Sequence, residues 1–248
     1  MRDIAKLPVL LKGLHLSTFH QLWESLADQA KNDNWSHGEY LSSLCEHEIN
    51  IRQQNKMKRN LKKAQLPTGK TLSTFDFSHT PNLNKAKVKD LAENTLWVKN
   101  KENLLIFGPS GTGKTHIGAA IAYSLIEKGM TAYFTSTTTL VQKLQADRQK
   151  LQLPQTLSKL DLYQVLILDD IGYVRKDEAE THVLFELIAH RYESGSLIVT
   201  SNQPFSEWDM IFSNHAMTVA AIDRLVHHAT ILEIITDSYR KNQSLKKN

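Results

Sequence analysis

The eight residues GPSGTGKT, Gly108 to Thr115, fit the pattern G-x-x-x-x-G-K-[ST]. Glycines at its start, middle and end permit backbone angles that turn several N–H groups inward. The loop and the positive end of a following helix can then surround phosphate oxygens. Gly108, Pro109, Ser110, Gly111, Thr112, Gly113, Lys114, Thr115 and the next residue, His116, are therefore the expected nucleotide-binding set. Within it, Lys114 suits the β- and γ-phosphates and the Thr115 hydroxyl suits Mg²⁺. A second element, VLILDDIG from Val165 to Gly172, ends four apolar residues in paired carboxylates. Asp169 suits a Mg²⁺ held through water, and Asp170 suits orienting or deprotonating an attacking water. A third element, SLIVTSNQPF from Ser196 to Phe205, contains Asn202, whose amide can contact a γ-phosphate or the nucleophilic water. Guanine recognition lacks support. The nearest approach to [NT]-K-x-D is SKLD, Ser158 to Asp161, and it precedes a strand where a base-reading loop should follow one. ATP and Mg²⁺ are the expected cofactors.

Elements must carry these groups to one place. Candidate strands are Leu104–Phe107, Thr131–Thr135, Val165–Asp169, Leu197–Thr200 and Ile231–Ile235. Helical patterns at Thr115–Lys128, Thr138–Gln149, Asp177–Glu193 and Thr218–His227 separate them. Such alternation predicts an α/β fold with a five-stranded parallel sheet covered by helices on both faces. Ahead of it, Leu14–Ala30 repeats apolar residues at spacings of three and four. Ser36 and Glu39 then form a capping box before a second helix that runs into a basic segment. The expected division is a small all-α N-terminal domain over 1–66, a linker rich in Pro, Gly, Ser and Thr over 67–84, and the α/β domain over 85–248. The helical part has too little apolar surface to fold alone, which predicts that it packs on the main domain or pairs with another copy.

Of 248 residues, 30 are Lys or Arg and 26 Asp or Glu, so the net charge of +4 says less than its placement. The stretch RQQNKMKRNLKK carries Arg52, Lys56, Lys58, Arg59, Lys62 and Lys63 with no acid, and Ser238–Asn248 adds four bases. Both are candidate polyanion contacts, the first the stronger. The single cysteine, Cys45, forms no internal disulfide and reads as small packing material in an apolar helix. With no apolar export or spanning segment, a cytoplasmic protein without membrane contact is expected. Glu178, His182, Glu186 and His190 recur every fourth residue and read as surface ion pairs rather than metal ligands. Phe19, Trp23 and Trp35 fit core or dimer contacts better than base stacking.

The loop, LILDDIGY, LFELIAHRYESGSLIVTSNQPFSEW, AAIDRL and DSYR follow in an order and spacing that resembles the IstB-like helper ATPases of bacterial insertion sequences. These are relatives of DnaC-type helicase loaders within the AAA+ P-loop ATPases. The resemblance covers Phe75 to Arg240, and more loosely the helical arm with EHEINIR. It implies an AAA+ core, ATP hydrolysed between adjacent subunits of an ATP-dependent homo-oligomer, and largely sequence-independent binding to duplex DNA that is delivered to a partner transposase. By the same resemblance Gly108–Thr115 is Walker A, Asp169 and Asp170 are Walker B, and Asn202 is sensor 1. Arg224 resembles an arginine finger, with Arg191 in reserve, and Arg240 resembles the sensor 2 arginine. A guanidinium supplied by a neighbour would make hydrolysis depend on assembly. Asp170 stands where AAA+ proteins usually carry Glu, one methylene longer, which implies slow turnover. The alternatives are a DnaC-like replicative helicase loader and, less well supported, a P-loop small-molecule kinase. The latter would need an arginine-rich lid, yet after Asn202 the only arginines are Arg224 and Arg240.

Overall fold

The structure is a computed structural model and describes residues 4–172, 178–212 and 214–236. The chain forms two compact units, Met1–Arg59 and Asn60–Asn248.

In the first unit, α1 (Leu7–Gly13) and α2 (Ser17–Asn32) precede α3 (His37–Ala64), whose last turn belongs to the second unit. The capping box at the start of α3 forms: the Ser36 N–H donates to Glu39 Oε2 at 2.7 Å, and the Glu39 N–H donates to Ser36 Oγ at 3.2 Å. Leu11, Leu26, Ala30 and Leu44 are buried. One turn beyond Leu44, Glu48 is buried too. It accepts the Thr18 N–H at 2.9 Å, serving the otherwise unpaired start of α2, and Arg52 Nε at 2.6 Å. Burial pushes the Glu48 carboxyl up, but the hydrogen bonds from Arg52 and Thr18 outweigh it and hold the group below its ordinary range. Cys45 corrects the sequence reading: it is exposed, because Leu44 and Glu48 define the inward stripe and Cys45 lies a third of a turn away.

The second unit is built on five parallel strands: β1 (Asn103–Phe107), β2 (Ala132–Ser136), β3 (Val165–Asp169), β4 (Ser196–Ser201) and β5 (Ala229–Glu233), in the order β2-β3-β4-β1-β5. Leu104 pairs with Ile198, Leu166 with Leu197, and Leu105 with Ile231. Alternation along each strand feeds two cores. Leu105, Phe107, Leu166, Leu168, Leu197 and Val199 face α7 (Thr137–Gln149), α8 (Leu153–Leu160), α9 (Glu178–Arg191) and α10 (His215–Val226). Leu104, Ile106, Val165, Ile167 and Ile198 face α4 (Lys85–Glu93), α5 (Leu96–Lys99) and α6 (Lys114–Glu127). Complete burial of each such side chain contributes about 1.5–3 kcal/mol. This is the α/β architecture expected, with β1, β3 and β4 in the middle, where neither face sees water.

The stretch 67–84, expected as a linker, is seated on this second core. Leu72, Phe75 and Phe77 pack against the cluster that contains Ile117 and Ile121, and Leu83 is buried within it. Its apolar residues decide this: Leu72, Phe75, Phe77 and Leu83 remove surface from water by packing on that cluster, a gain that a purely polar linker lacks. Among the described residues, no helix is long and apolar enough to cross a membrane.

Candidate active site

The phosphate loop leaves the end of β1 and enters α6. Gly108, Gly111 and Gly113 have φ of 150°, 79° and 100°, a region that favours glycine. Space constrains two of them as well. A Cβ on Gly108 would collide with the carbonyl oxygen of Ile234, and one on Gly113 would stand 2.8 Å from Phe75 Cε2. Pro109 O closes the loop on itself, accepting Thr112 Oγ1 at 2.9 Å and Lys114 Nζ at 2.8 Å. Lys114 is only 5% exposed, so its ammonium is held inside the loop. His116, one turn into α6, points toward the 67–84 stretch: its Nε2 lies 3.0 Å from Thr71 O and 3.2 Å from Thr74 Oγ1, and its ring meets Phe75 edge-on. Burial lowers its pKa, reinforced by Lys70 and opposed by the hydrogen bond to Thr71.

Asp169 ends β3, and three threonines surround it. Thr115 Oγ1 donates to Oδ2 at 3.1 Å, Thr200 Oγ1 donates to Oδ1 at 2.7 Å, and Thr137 Oγ1 donates to the Asp169 carbonyl at 3.0 Å. Burial pushes the Asp169 carboxyl above its ordinary range. The Thr200 and Thr115 hydrogen bonds work against that, Asp170 adds to the rise, and Lys114 opposes it. Asp170 follows with φ of 56°, its N–H donating to Thr200 Oγ1 at 2.9 Å. Asn202 lies just past β4, the strand between β3 and β1, and its buried Oδ1 has no hydrogen-bond partner. An orphaned buried acceptor is costly unless another group completes it. The Thr115 hydroxyl and the Asp169 carboxylate, 3.1 Å apart, are hard oxygen donors of the kind Mg²⁺ takes.

Thus the structure gathers Gly108–His116, Asp169, Asp170 and Asn202 at the carboxyl ends of β1, β3 and β4, the customary ligand edge of an open parallel sheet. Arg224 stands elsewhere, on α10. Its Nη1 donates to Ala220 O at 2.8 Å, and its guanidinium lies 5.3 Å from the Phe185 ring centroid. Arg191 cannot be a finger. It is 1% exposed and donates to the carbonyls of Leu160, Gln164 and Ser196 and to Asp161, tying α8, α9 and β4 together from inside. Arg240 and the basic tail lie outside the described residues. Of the basic segment, Arg52, Lys56, Lys58, Arg59, Lys62 and Lys63 are all exposed, and Arg52 is in addition bonded to Glu48 and to His15 O at 2.6 Å. Along α9, Glu186 pairs with Arg148 at 3.2 Å and His190 with Asp161 at 2.8 Å, and no metal cluster occurs among the described residues. Sequence reading missed Thr137 and Thr200, whose hydroxyls act on a residue at least thirty positions away in the chain.

A family profile described as IstB-like ATP binding protein matches residues 9–247. An insertion-sequence ATP-binding protein of Sinorhizobium fredii is 48% identical over 244 residues, covering 98% of this chain and 82% of that one. The ATP-binding protein of insertion sequence IS21 from Pseudomonas aeruginosa is 36% identical over 241 residues, covering 97% and 91%. Among solved structures, the DnaC helicase loader matches with a TM-score of 0.53 at 19% identity, over 60% of this chain and 86% of that one. AMPPCP-bound DnaA from Aquifex aeolicus matches with a TM-score of 0.56 at 21% identity, over 74% and 56%. At these identities the structural likeness speaks for the fold alone.

Proposed function

This chain belongs to the IstB-like ATP-binding proteins, and from that premise we propose that it is an ATPase whose nucleotide state governs assembly on duplex DNA for a partner transposase. The observation that carries the reading is the Thr115–Asp169 contact at 3.1 Å beside the glycine loop, with the unpartnered Asn202 Oδ1 at the end of the next strand.

In this reading the inward N–H groups of the loop and the Lys114 ammonium bind the β- and γ-phosphates of ATP. Lys114 exchanges its bond to the neutral Pro109 O for a stronger one to an ionised phosphate oxygen, in which both partners are charged. Thr115 and Asp169 would hold Mg²⁺, which when bound neutralises charge developing on the β- and γ-phosphate oxygens. Asp170 orients the attacking water and takes its proton, and Asn202 accepts from that water and donates to a γ-phosphate oxygen. Asp170 reaches less far than Glu would, so turnover is slow. Arg224 projects to the nucleotide of an adjacent subunit and offsets transition-state charge there, with Arg240 acting as the second sensing arginine. Lys56, Lys58, Arg59, Lys62 and Lys63 supply phosphate contacts that read charge rather than sequence. The N-terminal helices, 1–66, serve self-association and partner contact. Hydrolysis then resets the assembly and yields no product the cell uses. Insertion-sequence relatives over nearly the whole chain favour a transposase as partner over a replicative helicase.

The test is to mix the full chain with ATP or ADP and with long duplex or single-stranded DNA, and to follow complexes by electron microscopy and band shift. Multimers on duplex DNA that require ATP, and that Lys114→Ala abolishes, are expected. Equal binding without nucleotide, with no self-association, would refute the reading, and a preference for single strands would favour a helicase loader.

A further inference from the structure

We infer that Thr200 is a positioning residue of this site, one hydroxyl that fixes the carboxylate of Asp169 and the backbone of Asp170. The inference rests on the nucleotide site proposed above and adds a residue to it.

A threonine hydroxyl has one proton to donate and lone pairs to accept with. Thr200 uses both on neighbouring residues of one turn. It donates to Asp169 Oδ1 at 2.7 Å and accepts from the Asp170 N–H at 2.9 Å. Its side chain is fully buried, so water does not compete for either bond. The first bond selects which oxygen of Asp169 faces the phosphate loop. With Oδ1 held from the β4 side, Oδ2 is left to Thr115, the loop's own hydroxyl. The second bond holds Asp170 at a φ of 56°, a left-handed conformation that a non-glycine residue keeps only when its surroundings enforce it. The next amide is fixed from the same residue, since the Ile171 N–H donates to Thr200 O at 3.0 Å. Thr137 grips the Asp169 carbonyl and therefore the strand end, not the carboxylate. Of the three hydroxyls around Asp169, Thr137 holds backbone, Thr115 meets Oδ2 from the phosphate loop, where ligand would bind, and Thr200 holds Oδ1 from the sheet side by the shorter bond. Valine has almost the same shape and removes both bonds.

The experiment measures binding of a fluorescent ADP analogue to the full chain in EDTA and across a Mg²⁺ titration, with folding checked by thermal melting. The variants are Thr200→Val, Thr200→Ser, Thr200→Ala and Asp169→Asn. Serine and alanine both lack the methyl group and differ from each other in the hydroxyl alone, so that pair isolates the hydrogen bonds even if valine fails to fold. Binding in EDTA is expected to stay at the wild-type level in the three Thr200 variants. The Mg²⁺ midpoint is expected to rise by about 10- to 100-fold in the valine and alanine variants, as for loss of an outer-shell partner, and to return toward wild type with serine. Valine and alanine proteins with a wild-type Mg²⁺ midpoint would overturn the role of Thr200. Equal losses in EDTA and in Mg²⁺ would do the same, by showing only a structural effect. A wild-type protein indifferent to Mg²⁺, like Asp169→Asn, would instead overturn the site itself.

Discussion

Arg224→Ala separates an intersubunit role from a structural one, because the two differ in size by orders of magnitude. Within its own subunit the Arg224 guanidinium makes a 2.8 Å bond to Ala220 O, one turn back in α10, and lies over Phe185. Both contacts are partly exposed, so their loss should cost about 1 kcal/mol of folding stability. That would shift a urea midpoint slightly and leave nucleotide affinity alone. An arginine supplied to a neighbour's γ-phosphate contributes about 10³–10⁵ to hydrolysis. At 1.36 kcal/mol per tenfold, that is about 4–7 kcal/mol on the barrier. The assay is phosphate release by DNA-bound protein, first for Arg224→Ala alone and then for an equal mixture with Asp170→Asn, which keeps the phosphate loop needed for assembly. The first variant keeps a sound hydrolysis site without the finger, and the second keeps the finger without the carboxylate that orients water. Random assembly through head-to-tail contacts joins a sound site to a sound finger at about one quarter of interfaces, so activity should reappear to about that extent. Wild-type turnover by Arg224→Ala alone, or a mixture as inactive as its parts, would refute the intersubunit assignment.

Two further substitutions probe the frame of the site. Asp169→Asn should stabilise the nucleotide-free protein at neutral pH while removing its response to Mg²⁺. Because the folded carboxyl has a raised pKa, ionising it opposes folding at pH values above that pKa, and the penalty disappears as pH falls below the unfolded value near 3.8. The variant's advantage in melting temperature should therefore shrink on acidification, and an advantage that does not change with pH would contradict the assigned cause. Gly195→Ala places a Cβ against the buried Arg191 guanidinium and should cost about 1–3 kcal/mol in urea unfolding, with nucleotide affinity unchanged.

What could be read from the sequence was whatever is contiguous in the chain. The glycine loop declares itself because eight successive residues do one job, and Asp169 and Asp170 because they end an apolar run beside it. The strands followed from β-branched runs, although β5 begins at Ala229, two residues before the apolar stretch at its end. Short helices escaped: α1, α4, α5 and α8 have too few turns to show a period, and α8 is marked mainly by Pro154 in its first turn. Contacts across the chain escaped as well. Nothing near Arg191 announces that its acceptors lie at Leu160, Asp161, Gln164 and Ser196, although Gly195 so close after it, where a side chain would have collided, is the local trace. Thr200 looked like one more β-former in VTSN, because a hydroxyl's partner is chosen by strand order and not by neighbours in sequence.

Strand order also governs when the molecule can be completed. β1 leads directly into the phosphate loop, yet its two neighbours are β4 and β5, with Leu104 matched to Ile198 and Thr230. During synthesis one edge of that greasy strand stays open until β4 begins at Ser196, 89 residues past Phe107, and the other until β5 begins at Ala229, 122 residues past it. Parallel pairing over such separations is slow and leaves unfinished chains prone to aggregate. A ribosome stalled before residue 196 would present a finished glycine loop on a strand with nothing beside it, so a functional pocket is among the last features of the nascent protein to exist.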